Sequence, residues 1–550
     1  MGPDLYSMFL TVRNTLGRLV TLIDVAAIIA VIWALRGALR VARGTFITTR
    51  LRGPPRANLI FGAMKQIIQS PDPSALFETW AREFGVVYEV PTTLGGRKIM
   101  LSDPKALAHY YSRETWTYVL TEDTRLILRR TEFCGHKAKT TRGRHGQRKS
   151  LTPAFSQAAI RKLTPIFFNS THKAKAAWDT MIDASGSDNI VIKVQNWMNR
   201  ISLDSIGLAC FSHDFGTLDG KPATVTEVFD TIASAPKGSA VDMGFILLSV
   251  VFPWLMYLPT PRIKLLRGMQ ETMEDISTKL LARIMREKEE GVLDGKEEKS
   301  IIGMLMKAND SDSDIRSSPE EVLAQMKILL AAGYETTSIS MTWALLELAR
   351  NPGVQNKLRQ ELLAFGGEPT YNQLQSNLPY LDAVVHEILR VHPPVTDLLR
   401  VAVENDIIPL SEPVVTKSGE VVNSLTVASG THIGIPIASI NKSTEIWGSD
   451  AKVFRPERWL EENGIPKKAQ DIQAYRHLLT FVDGPRTCIG KGFALTEFKV
   501  VLSVLAKNFV FEMRDGPDTR VELVMGVLLR PRIAGEQGSD VPLRIRRYEG

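Results

Sequence analysis

The 550-residue chain carries 67 lysines and arginines against 60 aspartates and glutamates, a net charge of +7 with a pI near 9.1. Arg13, Arg18, Arg36, Arg40, Arg43, Arg50, Arg52 and Arg56 face only Asp4 and Asp24 in residues 1–60, so the rest is nearly neutral; basic charge beside an apolar segment marks a membrane face, not a nucleic-acid groove. Cys134, Cys210 and Cys488 are too few for a disulfide framework and fit a reducing compartment that keeps one thiol for chemistry.

The apolar run Leu19 to Leu35, bounded by Arg18 and Arg36, spans roughly 25 Å as a helix, about the thickness of an endoplasmic reticulum core. Asp24 lies toward its start, and no small-residue cleavage site follows that would make it a removed signal. Arginines after Leu35 keep everything downstream cytosolic. Residues 1–52 therefore read as a single-pass membrane anchor with a basic linker, and residues 53–550 as one catalytic domain, since no repeat or long linker divides them. Gly53-Pro54-Pro55 breaks any continuing helix and makes a stiff hinge. Residues 86–90 and 97–101 read as short strands, and Asp103-Pro104 opens a helix. From about 150 to 390 the pattern is mostly helical. Met243 to Leu258 is strongly apolar but interrupted by Pro253, either a core helix pair or a segment lying in the bilayer surface. The charged stretch from Arg286 to Lys299 and the Asp/Ser run 310–314 read as solvated loop. Ser318-Pro319-Glu320-Glu321 is a helix start with a capping box, and the helix runs about 30 residues to Asn351-Pro352. Apolar on most sides, it belongs in the middle of the protein.

Three constellations carry chemistry. In Phe481-Val-Asp-Gly484-Pro-Arg486-Thr-Cys488-Ile-Gly490, the glycines let the backbone turn and approach a flat group, amides can point at sulfur, and Arg486 adds a cation. A thiolate held this way suits a haem iron, whose axial sulfur favours O–O cleavage. Alone, the loop would also fit a buried cysteine in an ordinary glycine turn. In Ala332-Gly333-Tyr334-Glu335-Thr336-Thr337, Gly333 opens the backbone to a flat cofactor and dioxygen, Glu335 relays protons from solvent, and Thr336 donates to dioxygen. A hydroxyl bonding back to the preceding turn explains Thr337 better than Thr336. Glu387 and Arg390 share a helix face, and Arg458 can join them in a buried ion cluster.

The loop matches the cysteine-ligand motif of the cytochrome P450 family at every fixed position. The run 332–337 resembles that family's oxygen-activating helix, and Glu387–Arg390 its Glu-x-x-Arg pair. The resemblance, running from about Gly53 to the C-terminal segment, implies a mainly α fold with a small β region and a long central helix over haem. It implies heme b on Cys488, with Phe481, Gly490 and Gly333 at the cofactor, and Glu387, Arg390 and Arg458 as a structural triad. Arg486, Arg400 and Arg148 are the candidates for the two propionates. The family's Trp-x-x-x-Arg spacing is disturbed here, leaving Arg144 and His145 as unresolved partners of Arg148.

With no dinucleotide fingerprint, electrons must come from elsewhere; the resemblance implies NADPH-cytochrome P450 reductase, whose acidic surface Lys137, Lys139, Arg142, Arg144, Lys149 and Lys491 could steer. The stretches 147–156 and 479–488 resemble basidiomycete fungal members, many of which tailor terpenoids. By family position the pocket draws on 118–120, the central helix, 395–399 and 524–528, and the resemblance favours partial membrane contact over a core helix pair for 243–258 without deciding between them. The expected activity is insertion of one oxygen atom from O2 into an apolar substrate, a terpenoid before a fatty acid or xenobiotic, at the endoplasmic reticulum membrane. The rivals are a haem-thiolate isomerase or dehydratase acting on peroxides without reductase, and a haem carrier or sensor without turnover.

Overall fold

Alternating apolar residues let β1 (Val87–Pro91) pair antiparallel with β2 (Arg97–Leu101), Glu89 opposite Ile99, where both runs were expected. The computed structural model describes residues 24, 47–58, 60–122, 124–125, 148–234, 260–289, 300–303 and 318–549. Three further strands complete this sheet: β3 (Tyr118–Val119), β5 (Leu398–Ala402) and β8 (His432–Ile435), in the order β1-β2-β8-β5-β3 with only β2 and β8 parallel. A second sheet sets β12 (Pro542–Arg547) between β4 (Asn189–Lys193) and β9 (Phe509–Met513). Two hairpins stand apart, β6 (Asp406–Val415) with β7 (Val421–Val427) and β10 (Val521–Met525) with β11 (Leu529–Ile533).

The rest is helical. Asp72 caps α1 (Pro73–Phe84), accepting from Ser74 N at 2.8 Å, and Asp103 caps α2 (Pro104–Arg113), accepting from Ala106 N at 2.9 Å, each ahead of a proline at the first helical position. Then come α3 (Gln157–Ser185), α4 (Val194–Phe211), α5 (Thr224–Ser234) and α6 (Pro261–Glu289). Arg286 to Glu289, expected in a loop, form the last turn of α6.

Helix α7 (Pro319–Arg350) has 32 residues, about 48 Å at 1.5 Å per residue. Its capping box is complete: Glu321 N donates to Ser318 Oγ at 3.3 Å, and Ser318 N to Glu321 Oε2 at 3.0 Å. Every residue from Thr337 to Ala349 is buried. Burial on all sides is tolerable because hydroxyls there bond to the preceding turns, as Thr342 does to Ser338 O at 2.8 Å and Ser340 to Thr336 O at 3.1 Å. The helix packs against α4, α6, α9 (Pro379–Val391) and α10 (Lys491–Asn508), and Pro352 ends it by opening α8 (Pro352–Phe365).

Contacts to the folded domain reach across the expected boundary between 52 and 53. Leu51 is buried and bridges Thr416, Thr49 N donates to Thr426 O at 2.9 Å, and Glu89 N donates to Arg52 O at 3.0 Å. Residues 48–52 are thus stitched to β1 and to the β6–β7 hairpin. Among the described residues no helix is long and apolar enough to cross a membrane. The expected span 19–35 apart from Asp24, the apolar segment 243–258, residues 290–299 and 310–314, and Cys134, Lys137, Lys139, Arg142, Arg144 and His145 lie outside the described residues.

One buried acid behind the cysteine loop has no ion partner among the described residues. Glu497 on α10 is fully buried and neither carboxyl oxygen meets hydrogen-bond geometry. Burial pushes its carboxyl well above the ordinary range, opposed only by the nearby Ser205 hydroxyl. A folded pKa above the unfolded value of about 4.3 means that stability falls as pH rises from there up to the folded pKa. Glu497→Gln should therefore match or exceed the parent Tm at neutral pH and flatten its pH dependence between pH 5 and 8. A lower Tm with unchanged slope would show a carboxylate that is ionised and partnered.

Candidate active site

The loop 481–490 closes on itself: Cys488 N donates to Phe481 O at 2.9 Å, and the Thr487 hydroxyl to Gly484 O at 2.8 Å. Gly484 is required twice over, by φ of +66° and because a Cβ there would meet Tyr111 O at 2.4 Å. Val482 holds φ of +52°, a conformation costing about 1–3 kcal/mol that a β-branched residue adopts only when its surroundings impose it. Those surroundings are visible. Val482 N donates to Leu479 O at 2.8 Å, the Thr480 hydroxyl to Leu389 O at the end of α9 at 2.7 Å, and Asn441 holds both Thr480 Oγ1 (2.9 Å) and Leu479 N (3.3 Å).

Cys488 is accessible although protein packs round nearly all of it, the geometry of a side chain facing an internal cleft. Burial pushes its thiol up. The Gly490 amide, Arg148 and Lys491 pull it back, so an amide and two cations favour the thiolate. Gly490 has ordinary backbone angles; a Cβ there would sit 4.0 Å from Sγ, inside the space beside the sulfur. Lys491 also stacks its ammonium over Tyr475, 4.2 Å from the ring centroid.

Arg486 lies with the other two arginines expected beside it, Arg400 and Arg148, and with one acid that the sequence did not single out. Glu114, at the C-terminus of α2, pairs with Arg400 of β5 at 2.9 Å and lies near Arg486, which also has Arg148 as a neighbour. Burial pushes Glu114 up, with Arg400 and Arg486 opposing; its Oε2 has no hydrogen-bond partner among the described residues. Three guanidiniums less one carboxylate leave two net positive charges, the complement of a cofactor bearing two carboxylates. Lone Asp and Glu residues early in a chain carry no pattern, so nothing in the sequence singled Glu114 out.

The central helix shows a break in its burial. Ala332 is exposed and Gly333 and Thr336 are partly accessible, whereas Tyr334, Glu335 and Thr337 are buried, so 332, 333 and 336 face a cleft. Thr336, not Thr337, bonds back to the preceding turn, its hydroxyl donating to Ala332 O at 2.7 Å. Gly333 also makes room for packing: a Cβ there would meet Ile206 of α4 at 2.6 Å, and Ser202 of α4 donates to Gly333 O (3.1 Å) and Tyr334 O (3.0 Å). Glu335 does not face solvent. Its Oε1 accepts from Arg530 Nε of β11 at 2.9 Å, with both residues buried.

Of the expected pocket segments, Tyr118 belongs to the core, its hydroxyl donating to Asp406 at 2.7 Å and its ring against Tyr110. Val395, Leu398 and Leu399 are half-buried; Val524 is buried and the hairpin tip exposes Met525 and Val527.

Behind the loop, Glu387 is saturated. Arg390 grips it with Nε (2.9 Å) and Nη2 (2.8 Å), Arg458 Nε donates at 2.9 Å, Trp459 Nε1 at 2.9 Å and Arg455 N at 3.0 Å, and Glu387, Arg390 and Arg458 are all fully buried. Arg390 also holds the carbonyls of Asn441 (2.8 Å) and Ala451 (2.6 Å), and Arg458 reaches Asp450. Trp459 and Asp450 were not expected in this group.

The family model for cytochrome P450 matches residues 52–534. The chain belongs to the cytochrome P450 family. Cytochrome P450 monooxygenase claQ of Ampulloclitocybe clavipes is 51% identical over 91% of this chain and 94% of its own length, and claP of the same fungus 50% over 96% and 98%. Cytochrome P450 monooxygenase 205 of Postia placenta is 34% identical over 96% and 97%. These relatives are fungal monooxygenases, as the motifs implied, and this P450 is an enzyme of that class. P450 membership implies haem on a cysteine thiolate, with O2, a redox partner and a small-molecule substrate. The residues here fit that group: an amide aimed at an accessible sulfur, and a cationic cluster of matching charge.

Cutting the buried cluster should cost far more than a surface ion pair. Glu387→Gln leaves two buried arginines short of charge, so a loss of about 3–5 kcal/mol is expected, read as a fall in denaturation midpoint together with loss of haem from the purified protein. An unchanged midpoint would show that the cluster does not support the loop.

Proposed function

We propose that this P450 is a membrane-anchored haem-thiolate monooxygenase that inserts one oxygen atom from O2 into an apolar substrate of terpenoid class, using NADPH electrons from a partner reductase. The observation that carries it is Cys488, held in a strained, pinned loop with the Gly490 amide on its sulfur and its Sγ toward a cleft. Residues 1–46 would supply the single-pass anchor in the endoplasmic reticulum membrane and leave the domain in the cytosol, the domain starting near residue 47 where contacts to β1 and the β6–β7 hairpin begin.

Cys488 would hold the iron of heme b through its thiolate, and Arg148, Arg400 and Arg486 would hold the propionates, with Glu114 fixing Arg400. Haem on a thiolate supplies dioxygen activation, the sulfur favouring O–O cleavage. The chain's own residues supply protons and exclude wrong ones. Thr336 is the accessible hydroxyl of the motif; it leaves Ala332 O by rotating about χ1 and can then donate into the cleft. Glu335 is the neighbouring acid, one carboxylate oxygen held by Arg530 and the other unpartnered among the described residues. Val395, Leu398, Leu399, Met525 and Val527 offer apolar contacts for a substrate with few polar groups.

The test uses microsomes holding the full chain and a reductase. The reduced protein with carbon monoxide should show the red-shifted Soret band of thiolate-bound haem, lost in Cys488→Ser; a band that survives that substitution would remove Cys488 from the site. Offered sesquiterpenes, triterpenes, fatty acids and polycyclic aromatics with NADPH, the enzyme should oxygenate a terpenoid first. Turnover of aromatics alone would overturn the terpenoid class, and NADPH-independent rearrangement of a hydroperoxide would overturn the monooxygenase reading. Removing residues 1–46 should release the protein from the membrane with its Soret band intact.

Thr336→Ala should keep the band and substrate binding but send electrons to hydrogen peroxide. A loss of about tenfold to a hundredfold in product per NADPH is expected for one positioned proton donor; unchanged coupling would take Thr336 out of the mechanism.

A further inference from the structure

Arg530 of β11 is fully buried and shared by two carboxylates on different helices. Its Nε donates to Glu335 Oε1 on α7 at 2.9 Å, and its Nη1 donates to Asp230 Oδ1 on α5 at 2.8 Å and to Ser539 Oγ at 3.3 Å. The fork to Glu335 is half made. Arg530 Nη2 and Glu335 Oε2, the two atoms that would complete a bidentate pair, are both buried and both without a hydrogen-bond partner among the described residues. The Tyr334 hydroxyl beside them is buried and unpartnered too, and the Leu528 N–H faces the carboxylate. A guanidinium and a carboxylate already in contact inside a protein gain by closing the second arm. The second pull on this one is Asp230, whose side chain is 44% exposed and sits at the rim.

We propose that Arg530 is a positioning residue for Glu335, and that Asp230, by drawing the guanidinium toward α5, keeps one oxygen of Glu335 free to pass protons to Thr336. With α5 seated, Arg530 is divided and Glu335 Oε2 is available. With Asp230 withdrawn, the fork closes on Glu335 and holds it as a fully paired carboxylate. Seating of α5 and proton delivery are thereby one event. The sequence hid this because Arg530 lies 195 residues from Glu335 and 300 from Asp230, on a hairpin with no motif.

The inference rests on the monooxygenase reading, and the two fail differently. Oxygenation uses O2, two electrons and two protons to give oxygenated product and water; when proton delivery fails, the same electrons and protons leave as hydrogen peroxide. Asp230→Asn should keep the reduced-carbon-monoxide Soret band and bind substrate within about threefold of the parent, while product per NADPH falls about tenfold, the worth of one charge-assisted hydrogen bond. The solvent isotope effect on product formation should rise, and amides of 224–234 should exchange faster. Arg530→Lys keeps the charge but cannot form a fork, so adding it to Asp230→Asn should restore coupling above that of Asp230→Asn alone. Additive losses in the double variant would overturn the inference, because a merely structural tether gives additivity. So would an Asp230→Asn enzyme with parental coupling and parental exchange. Absence of the band or of any product from the parent enzyme would instead overturn the monooxygenase reading.

Discussion

A carboxylate taken wholly out of water is costly unless it is paired and hydrogen-bonded, and Glu387 is held by two guanidiniums, an indole N–H and a backbone N–H. The cysteine loop inherits its position from that requirement. Arg390, immobilised by Glu387, fixes the carbonyl of Asn441; the side chain of Asn441 fixes Leu479 and Thr480; and Thr480 ties the loop's first turn to the end of α9. The next residue but one is Val482 in its unfavourable backbone state. The chain of bonds from Glu387 to Val482 explains how a strained valine is tolerated ahead of Cys488. Without a rigid support the loop would relax to an ordinary turn and the sulfur would lose its direction.

A second constraint runs through α7. A helix buried on all sides has no solvated face on which to place chemistry, so the accessible stretch at 332, 333 and 336 is the exception the rest of the helix is built around. Ser202 supplies hydroxyl donors to the Gly333 and Tyr334 carbonyls, and the neighbouring α4 side chain Ile206 fills the notch left by Gly333. The motif is therefore held from behind by α4 and from the side by Arg530. The acid and the alcohol of the motif are differently placed in consequence: Thr336 lines the cleft, while Glu335 is reached only through a shared ion pair.

Local rules made the scaffold legible. Caps at Asp103 and Ser318, the strands at 87–91 and 97–101, the length of α7 and the Glu387–Arg390–Arg458 group follow from patterns a few residues wide, and each is present. The three arginines expected at the propionates do lie together, Arg148 and Arg400 both near Arg486. What stayed hidden depends on contacts between distant segments. Glu114 against Arg400, Arg530 against Glu335 and Asp230, and the closure of residues 48–52 on the β6–β7 hairpin leave no periodicity behind. At Gly333 the glycine's identity is visible in the sequence but its packing neighbour Ile206 is not. Tyr118 was misplaced for the same reason: its partner Asp406 lies 288 residues away.

The contact between Gly333 and Ile206 ties together two positions 127 residues apart in a way that bears on how such enzymes diversify. A side chain added at 333 would drive into α4 before it could reshape the cleft, so the central helix is poorly placed to tune substrate shape at that point unless 206 shrinks in the same step. The two sites should drift as a pair across relatives. Variation in pocket contour is left to side chains that already reach out of the packing, such as Met525 and Val527 at the tip of the β10–β11 hairpin.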